Sequence, residues 1–219
     1  MLSRVSTQPE PASELRPGTS RRTRAPGDRS RARILEQAAR LATIEGLEGL
    51  SIGRLAEATG MPKSSVYALF GSKEELQLAT VDAAREQFAA EVVIPALSAA
   101  EPGRELLLAL CEGYLDHVER RVFPGGCFFV AASAELGARP GRLHDRIAAY
   151  QNEWRTLLAT QANAAHEHGA LPTHTDPGQL AFELGAILAG ANILSVLHDD
   201  QTAIDRARTA VRARLAAAD

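Results

Sequence analysis

Between Leu50 and Leu76 the chain reads LSIGRLAEATGMPKSSVYALFGSKEEL. Helix start and stop signals follow one another so closely here that few folds can accommodate them. Ser51 can cap a helix whose inner face is Ile52, Leu55 and Ala56. Gly60 stops it, as a residue that takes the left-handed conformation cheaply. Pro62 suits the first turn of the next helix, which ends at Phe70 and Gly71. Ser72 and Glu75 then have the spacing of a capping box, opening a helix expected to run to about Val93 and to end before Pro95. Two short helices joined by a tight turn and followed at once by a third make a helix-turn-helix, a unit whose second helix can enter a DNA groove.

The rest of the chain supports an all-α fold. Hydrophobic residues make up 45% of the 219 and aromatics 5%. Alanine and leucine dominate, and no run alternates Val, Ile, Thr and Tyr as a half-buried strand does. A first helix is expected from about Asp28 or Ser30, with Ile34, Ala38, Leu41 and Ala42 inward and Gly46 as its stop. Later helices are expected at about 103–121, 127–137, 141–168, 177–198 and 201–217, separated by Pro- and Gly-rich breaks. This divides the chain into a disordered basic tail, 1–28, a helix-turn-helix domain, 29–76, and a helical body, 77–219. Arg21, Arg22 and Arg24 in the tail either enter a minor groove or remain solvated.

Two cysteines, Cys111 and Cys127, are too few for a disulfide scaffold and fit a reducing compartment. The N-terminus has no apolar signal core. The apolar run Leu184–Leu197 is short for a membrane span. A cytoplasmic protein with no membrane partner is expected. Residues 20–78 carry ten Lys or Arg against seven Asp or Glu, whereas 79–219 carry twelve against eighteen. An anionic partner would therefore dock at the N-terminal third.

At 100° per residue, Pro62, Val66, Leu69 and Phe70 form an inward stripe. Ser64, Tyr67 and Ala68 point the other way, flanked by Lys63. Small side chains let such a helix sink into the major groove, while hydroxyls and an ammonium donate to phosphates or base edges. Ser51 and Lys73 lie at the N-termini of neighbouring helices, where phosphates are attracted, although Glu74 and Glu75 oppose that attraction.

These residues carry a resemblance. Ser51 opening a helix, LAEATGM before the turn, KSSVY on the second helix, Phe70 closing it and SKEEL opening the next are similar to the DNA-binding signature of the TetR/AcrR (tetracycline repressor-like) regulators. The resemblance covers about Ser30–Leu76. It implies a homodimer, each subunit having a three-helix DNA-binding head and a helical body for a small-molecule effector. It places Ser51, Lys63, Ser64, Ser65, Tyr67 and Lys73 at positions that touch double-stranded operator DNA, Tyr67 and Lys73 on phosphates. Arg54 is a further candidate. Ala68 and Leu69 depart from the family's more usual polar or aromatic pair, which shifts base reading to Lys63, Ser64 and Ser65.

In the body, apolar stripes on the helix from Arg104, on 127–137 with Phe128 and Phe129, and on the long helix can line a cavity or fill a core. Phe88, Cys111, Tyr114, His117, Phe128, Tyr150, Trp154 and Asn192 are the candidate ligand contacts; several bring a polar atom to an apolar place. Cys127, at a helix N-terminus, is a redox candidate or a buried small residue. His166, His168 and His174 lack a partnering carboxylate or thiolate, so no metal is expected. No cofactor motif or catalytic constellation is present, and no enzyme activity is expected. Gly185, Ala186, Ala189 and Gly190, with a second stripe of Ile204, Ala207, Val211 and Leu215, are expected to form a four-helix dimer interface. The alternative function is a helical carrier or enzyme whose head is structural.

Overall fold

The computed structural model of the chain describes residues 26–216. The expected tail, with Arg21, Arg22 and Arg24, lies outside the described residues except for 26–28, which belong to the first helix. The described chain is all-helical: α1 (Pro26–Glu45), α2 (Ile52–Thr59), α3 (Lys63–Phe70), α4 (Lys73–Phe88), a π turn (Ala89–Val93), α5 (Ile94–Ala99), α6 (Arg104–Glu119), α7 (Phe128–Leu136), α8 (Arg142–Glu167), α9 (Pro177–Leu197) and α10 (Thr202–Arg214).

The head is α1 to α3 closed by the start of α4. Ile34, Leu35, Ala38, Leu55, Val66, Phe70 and Leu76 are buried together. Fully burying each of the larger side chains contributes about 1.5–3 kcal/mol. Ser51 and Ser72 are both extended and accept the N–H groups of Arg54 and Glu75, each at 3.1 Å. Only half of the expected capping box forms, because Glu75 turns instead to Arg142 of α8 at 2.8 Å. The Arg31 guanidinium lies 5.3 Å from the centroid of the Phe70 ring and ties α3 to α1.

The expected end of α4 before Pro95 is corrected. The rod turns through the π segment, where the Ile94 N–H reaches back to the Ala89 carbonyl, and continues as α5. A π turn shifts the hydrogen-bond register by one residue, so Pro95 enters in a first turn, where its missing N–H leaves no gap in the ladder. The helical path from the head thus reaches Ala99 rather than Val93.

The body packs α6, α8, α9 and α10 around one another, with α7 against α8 and α1. The α10 expectation is also corrected. Ile204, Ala207, Val211 and Leu215 are buried within the chain, against α9 and α6, and are not available to a partner. α9 has the length and apolarity to cross a membrane, but its Leu180, Leu184 and Leu188 face is buried in the body. The opposite side shows Phe182, Ile193 and Leu197 to solvent.

Head and body meet along several joints. Gln77 donates to the Leu47 carbonyl at 2.6 Å, Arg40 to the Val122 carbonyl at 2.9 Å, and the Gly125 N–H to Thr43 Oγ1 at 3.2 Å. A Cβ on Gly125 would stand 1.9 Å from the Thr43 carbonyl oxygen, so only glycine permits that approach. Asp82 on α4 accepts from Arg146 and from the Tyr150 hydroxyl on α8.

Candidate nucleic-acid interface and body cavity

The turn between α2 and α3 is made by Gly60, at φ +66°, and by the Met61 N–H bonded to the Ala56 carbonyl at 3.1 Å. With Val66 and Phe70 buried, the outer face of α3 presents Lys63, Ser64, Tyr67 and Ala68, and Tyr67 is 60% exposed. Ser65 is half-buried at the edge of this face. Tyr67 is the one aromatic group on it, and the Lys63 side chain reaches away toward Gly53, so small side chains cover much of the rest of the face.

Cationic groups gather at the start of α2. The Lys63 side chain crosses Gly53, where a Cβ would lie 3.5 Å from the ammonium nitrogen. Lys73 donates to the Glu48 carbonyl at 2.6 Å, just before the Ser51 cap. The two ammonium groups therefore flank a helix N-terminus whose dipole also favours anions. Arg142 reaches from α8 to both Glu74 and Glu75, at 2.9 and 2.8 Å. Their charges, which would oppose a phosphate near Lys73, are thereby partly neutralised. Arg54 is occupied differently: it holds Glu45 through Nε and Nη2 at 2.6–3.0 Å, and this pairing lowers the Glu45 pKa. Its guanidinium is already matched within the head.

The body contains a cavity of about 430 Å³ between α4, the π turn, α6, α7, α8 and α9. That size suits a small organic molecule. Of the residues expected to touch a ligand, Phe88, Tyr114, Tyr150 and Trp154 line it. Phe88 meets Trp154 edge-on at 5.2 Å, and Tyr114 stacks near Trp154 at 6.1 Å. Cys111, His117, Phe128 and Asn192 do not line it; each is core. Cys111 is fully buried, its thiol pushed up to about 12 by desolvation. His117 packs between Phe88 and Phe123. Phe128 turns to Phe123 and leaves the cavity wall to Phe129. Asn192 is structural: its Oδ1 accepts the Cys127 N–H at 2.7 Å and fixes the start of α7 on α9.

Cys127, Phe129, Gln151 and Phe182 are lining residues that the sequence candidates lacked. The Cys127 thiol is raised by burial, opposite to the effect expected of a helix N-terminus. The signal that could have found Phe129 is its place one residue after Phe128, since adjacent helical residues diverge by 100° and only one of the pair can face the deep core.

The chain matches the profile "Bacterial regulatory proteins, tetR family" over residues 34–80 and "Tetracyclin repressor-like, C-terminal domain" over 103–211. An HTH-type transcriptional regulator of Mycobacterium tuberculosis is 30% identical over 188 residues, 80% of this chain and 88% of that protein. The HTH-type transcriptional repressor ComR of Escherichia coli is 26% identical over 159 residues, 73% and 76% respectively. Among solved structures, a TetR transcriptional regulator from Chloroflexus aurantiacus superposes with a TM-score of 0.77 at 27% identity, covering 85% of this chain and 94% of that one. With its helix-turn-helix, its helical body and a relative matched along most of its length, the chain belongs to the tetR family of bacterial DNA-binding transcriptional regulators.

Proposed function

We propose that this regulator is a cytoplasmic homodimeric repressor that leaves a near-palindromic operator when a small molecule enters the body cavity. The observation that carries the reading is the α4 rod. It begins at Ser72, beside Lys73 in the head, and brings Phe88 and, through the π turn, Ala89 and Val93 to the cavity wall. A ligand that shifts this rod also shifts α3. It acts only to the extent that it binds one position of the rod better than the other.

In this reading Lys63, Ser64, Ser65 and Tyr67 meet DNA from α3, with Ser51 and Lys73 on phosphates. Arg54 contributes least, because Glu45 already holds it. The exposed side of α9, with Phe182, Ile193 and Leu197, joins its symmetry mate and sets the spacing of the two α3 helices. ComR, a relative, is a repressor by name.

The experiment is fluorescence anisotropy of the purified protein on labelled duplex from its own upstream region, at low ionic strength, against a scrambled duplex. Saturable binding with tighter affinity for the upstream duplex is expected. Failure to bind any duplex would favour the carrier reading.

A further inference from the structure

The cavity wall divides into an apolar interior and a charged rim. Phe88, Phe129, Trp154 and Leu188 supply much of the interior. The polar groups among them are held by the protein itself. Tyr150 gives its hydroxyl to Asp82 at 2.8 Å. The Gln151 amide nitrogen donates to Ser133 at 3.0 Å. The Tyr114 hydroxyl is buried against the Cys127 thiol. A molecule inside therefore gains by being hydrocarbon there.

The charged side chains that line the cavity are Arg85, Glu153 and Arg155, and all three are exposed. Arg85 and Glu153 offset each other at 3.0 Å, and the Arg85 guanidinium also lies 5.6 Å from the centroid of the Tyr150 ring. Arg155 has no ion-pair or hydrogen-bond partner among the described residues. On α8 it follows Trp154 and stands one turn beyond Gln151, so its stem joins the wall while its charge stays at the mouth. The rim thus carries one net positive charge on a planar fork that fits a carboxylate. Glu153 on the same rim opposes a second negative charge.

We propose that the effector is an amphipathic monoanion, a hydrocarbon body with one terminal carboxylate, and that Arg155 holds the carboxylate at the mouth while the body fills the interior. The inference rests on the cavity being the effector site and deepens that reading by naming the ligand class and the residue that selects it.

The test uses two probes of nearly equal shape, decanoate and decanamide, titrated by calorimetry against the full chain and against Arg155→Gln at about pH 7.5, where the acid is ionised. Trp154 is the chain's one tryptophan and lines the cavity, so its emission reports where the probe sits. The probes differ in desolvation, so the informative quantity is the effect of the substitution on each one. Arg155→Gln is expected to weaken decanoate about fivefold and to leave decanamide unchanged. Added salt should weaken decanoate relative to decanamide in the wild-type protein only. An equal change for both probes overturns the anionic class and leaves the cavity standing as a ligand site. Failure of both probes to bind the wild-type protein, or binding that leaves Trp154 emission unchanged, overturns both. Decyl phosphate carries a larger charge and should bind no tighter than decanoate; tighter binding overturns the single charge. Decanoate that binds at Trp154 yet leaves DNA affinity unchanged overturns the effector reading alone.

Discussion

The carboxylate of Glu135 accepts the backbone N–H of Leu47 at 2.7 Å. Its other oxygen takes the N–H of Glu48 at 2.8 Å. Glu135 sits on α7, whose Phe129 lines the cavity, and Leu47 and Glu48 form the loop that leads into α2. A second route from body to head therefore exists beside the α4 rod. Gly46 in the same loop, at φ +80°, would press a Cβ to 2.9 Å from this carboxylate, so the loop and the acid fit one another closely.

Glu135→Ala strands the N–H of buried Leu47, whereas that of exposed Glu48 can turn to water. The substitution should lower the free energy of unfolding by about 1–3 kcal/mol. Hydrogen exchange offers the sharper readout: the Leu47 and Glu48 amides should exchange faster, while those in the middle of α8 should not. Unchanged protection of Leu47 would show that the loop holds itself.

Lys73 and Arg54 should behave differently on DNA although both are cations of the head. Lys73 has only a backbone carbonyl at its ammonium group, so its charge remains available to a phosphate. Each phosphate contact adds about 0.9 to the slope of log affinity against log salt, and Lys73→Ala should lower that slope by about one. Arg54 is matched by Glu45, and its side chain is 36% exposed. Arg54→Ala should leave the slope unchanged and cost little stability, because the pair is solvent-screened. Equal slope changes for the two variants would put Arg54 on the DNA.

The head was legible in the sequence because its signals are local. Ser51, Gly60 and Ser72 act on residues within one turn of themselves, and the structure places the cap bonds there. The body was legible only as helices. Whether Phe128 or Phe129 faces the cavity, and whether Asn192 meets a ligand or Cys127, depends on how α7 lies against α9, which no local pattern encodes. The Pro95 stop failed for a related reason: a one-residue register shift at Ala89–Val93 removes the conflict that a proline usually creates. The α10 stripe was read correctly as apolar, but periodicity alone does not distinguish a helix buried on its own chain from one buried on a partner.

His117 gives the protein a stability that depends on pH. Desolvation lowers its pKa below 6.5, outweighing the opposing pull of Glu91, whose carboxylate lies 3.4 Å away, while Arg120 adds to the lowering. The unfolded chain binds a proton near pH 6.5 that the folded chain refuses. This contribution is fully present above that pH and is lost as pH falls through 6.5 toward the folded value. His117→Phe keeps the ring contacts with Phe88 and Phe123 and removes the titration. Urea melts between pH 7.5 and pH 5 should therefore decline less steeply for the variant. Parallel declines would mean that other groups set the acid limb.

The exposed face of α9 decides whether two heads act together. Ile193 is 49% exposed and Leu197 71%, on a helix whose other face is buried in the body. Neither lines the cavity, so charges placed there should spare both the core and the ligand site. A stable pair needs about 1,200–2,000 Å² of total buried surface, and an uninterrupted apolar face is what a twofold contact requires. Ile193→Glu combined with Leu197→Glu sets four carboxylates against one another across such an axis. Light scattering should show wild type as a dimer and the double variant as a monomer with unchanged helicity. Binding to an operator with two half-sites should weaken by at least the roughly hundredfold that linking two modest contacts supplies. A variant that stays dimeric would place the interface on another face and free α9 for a different partner.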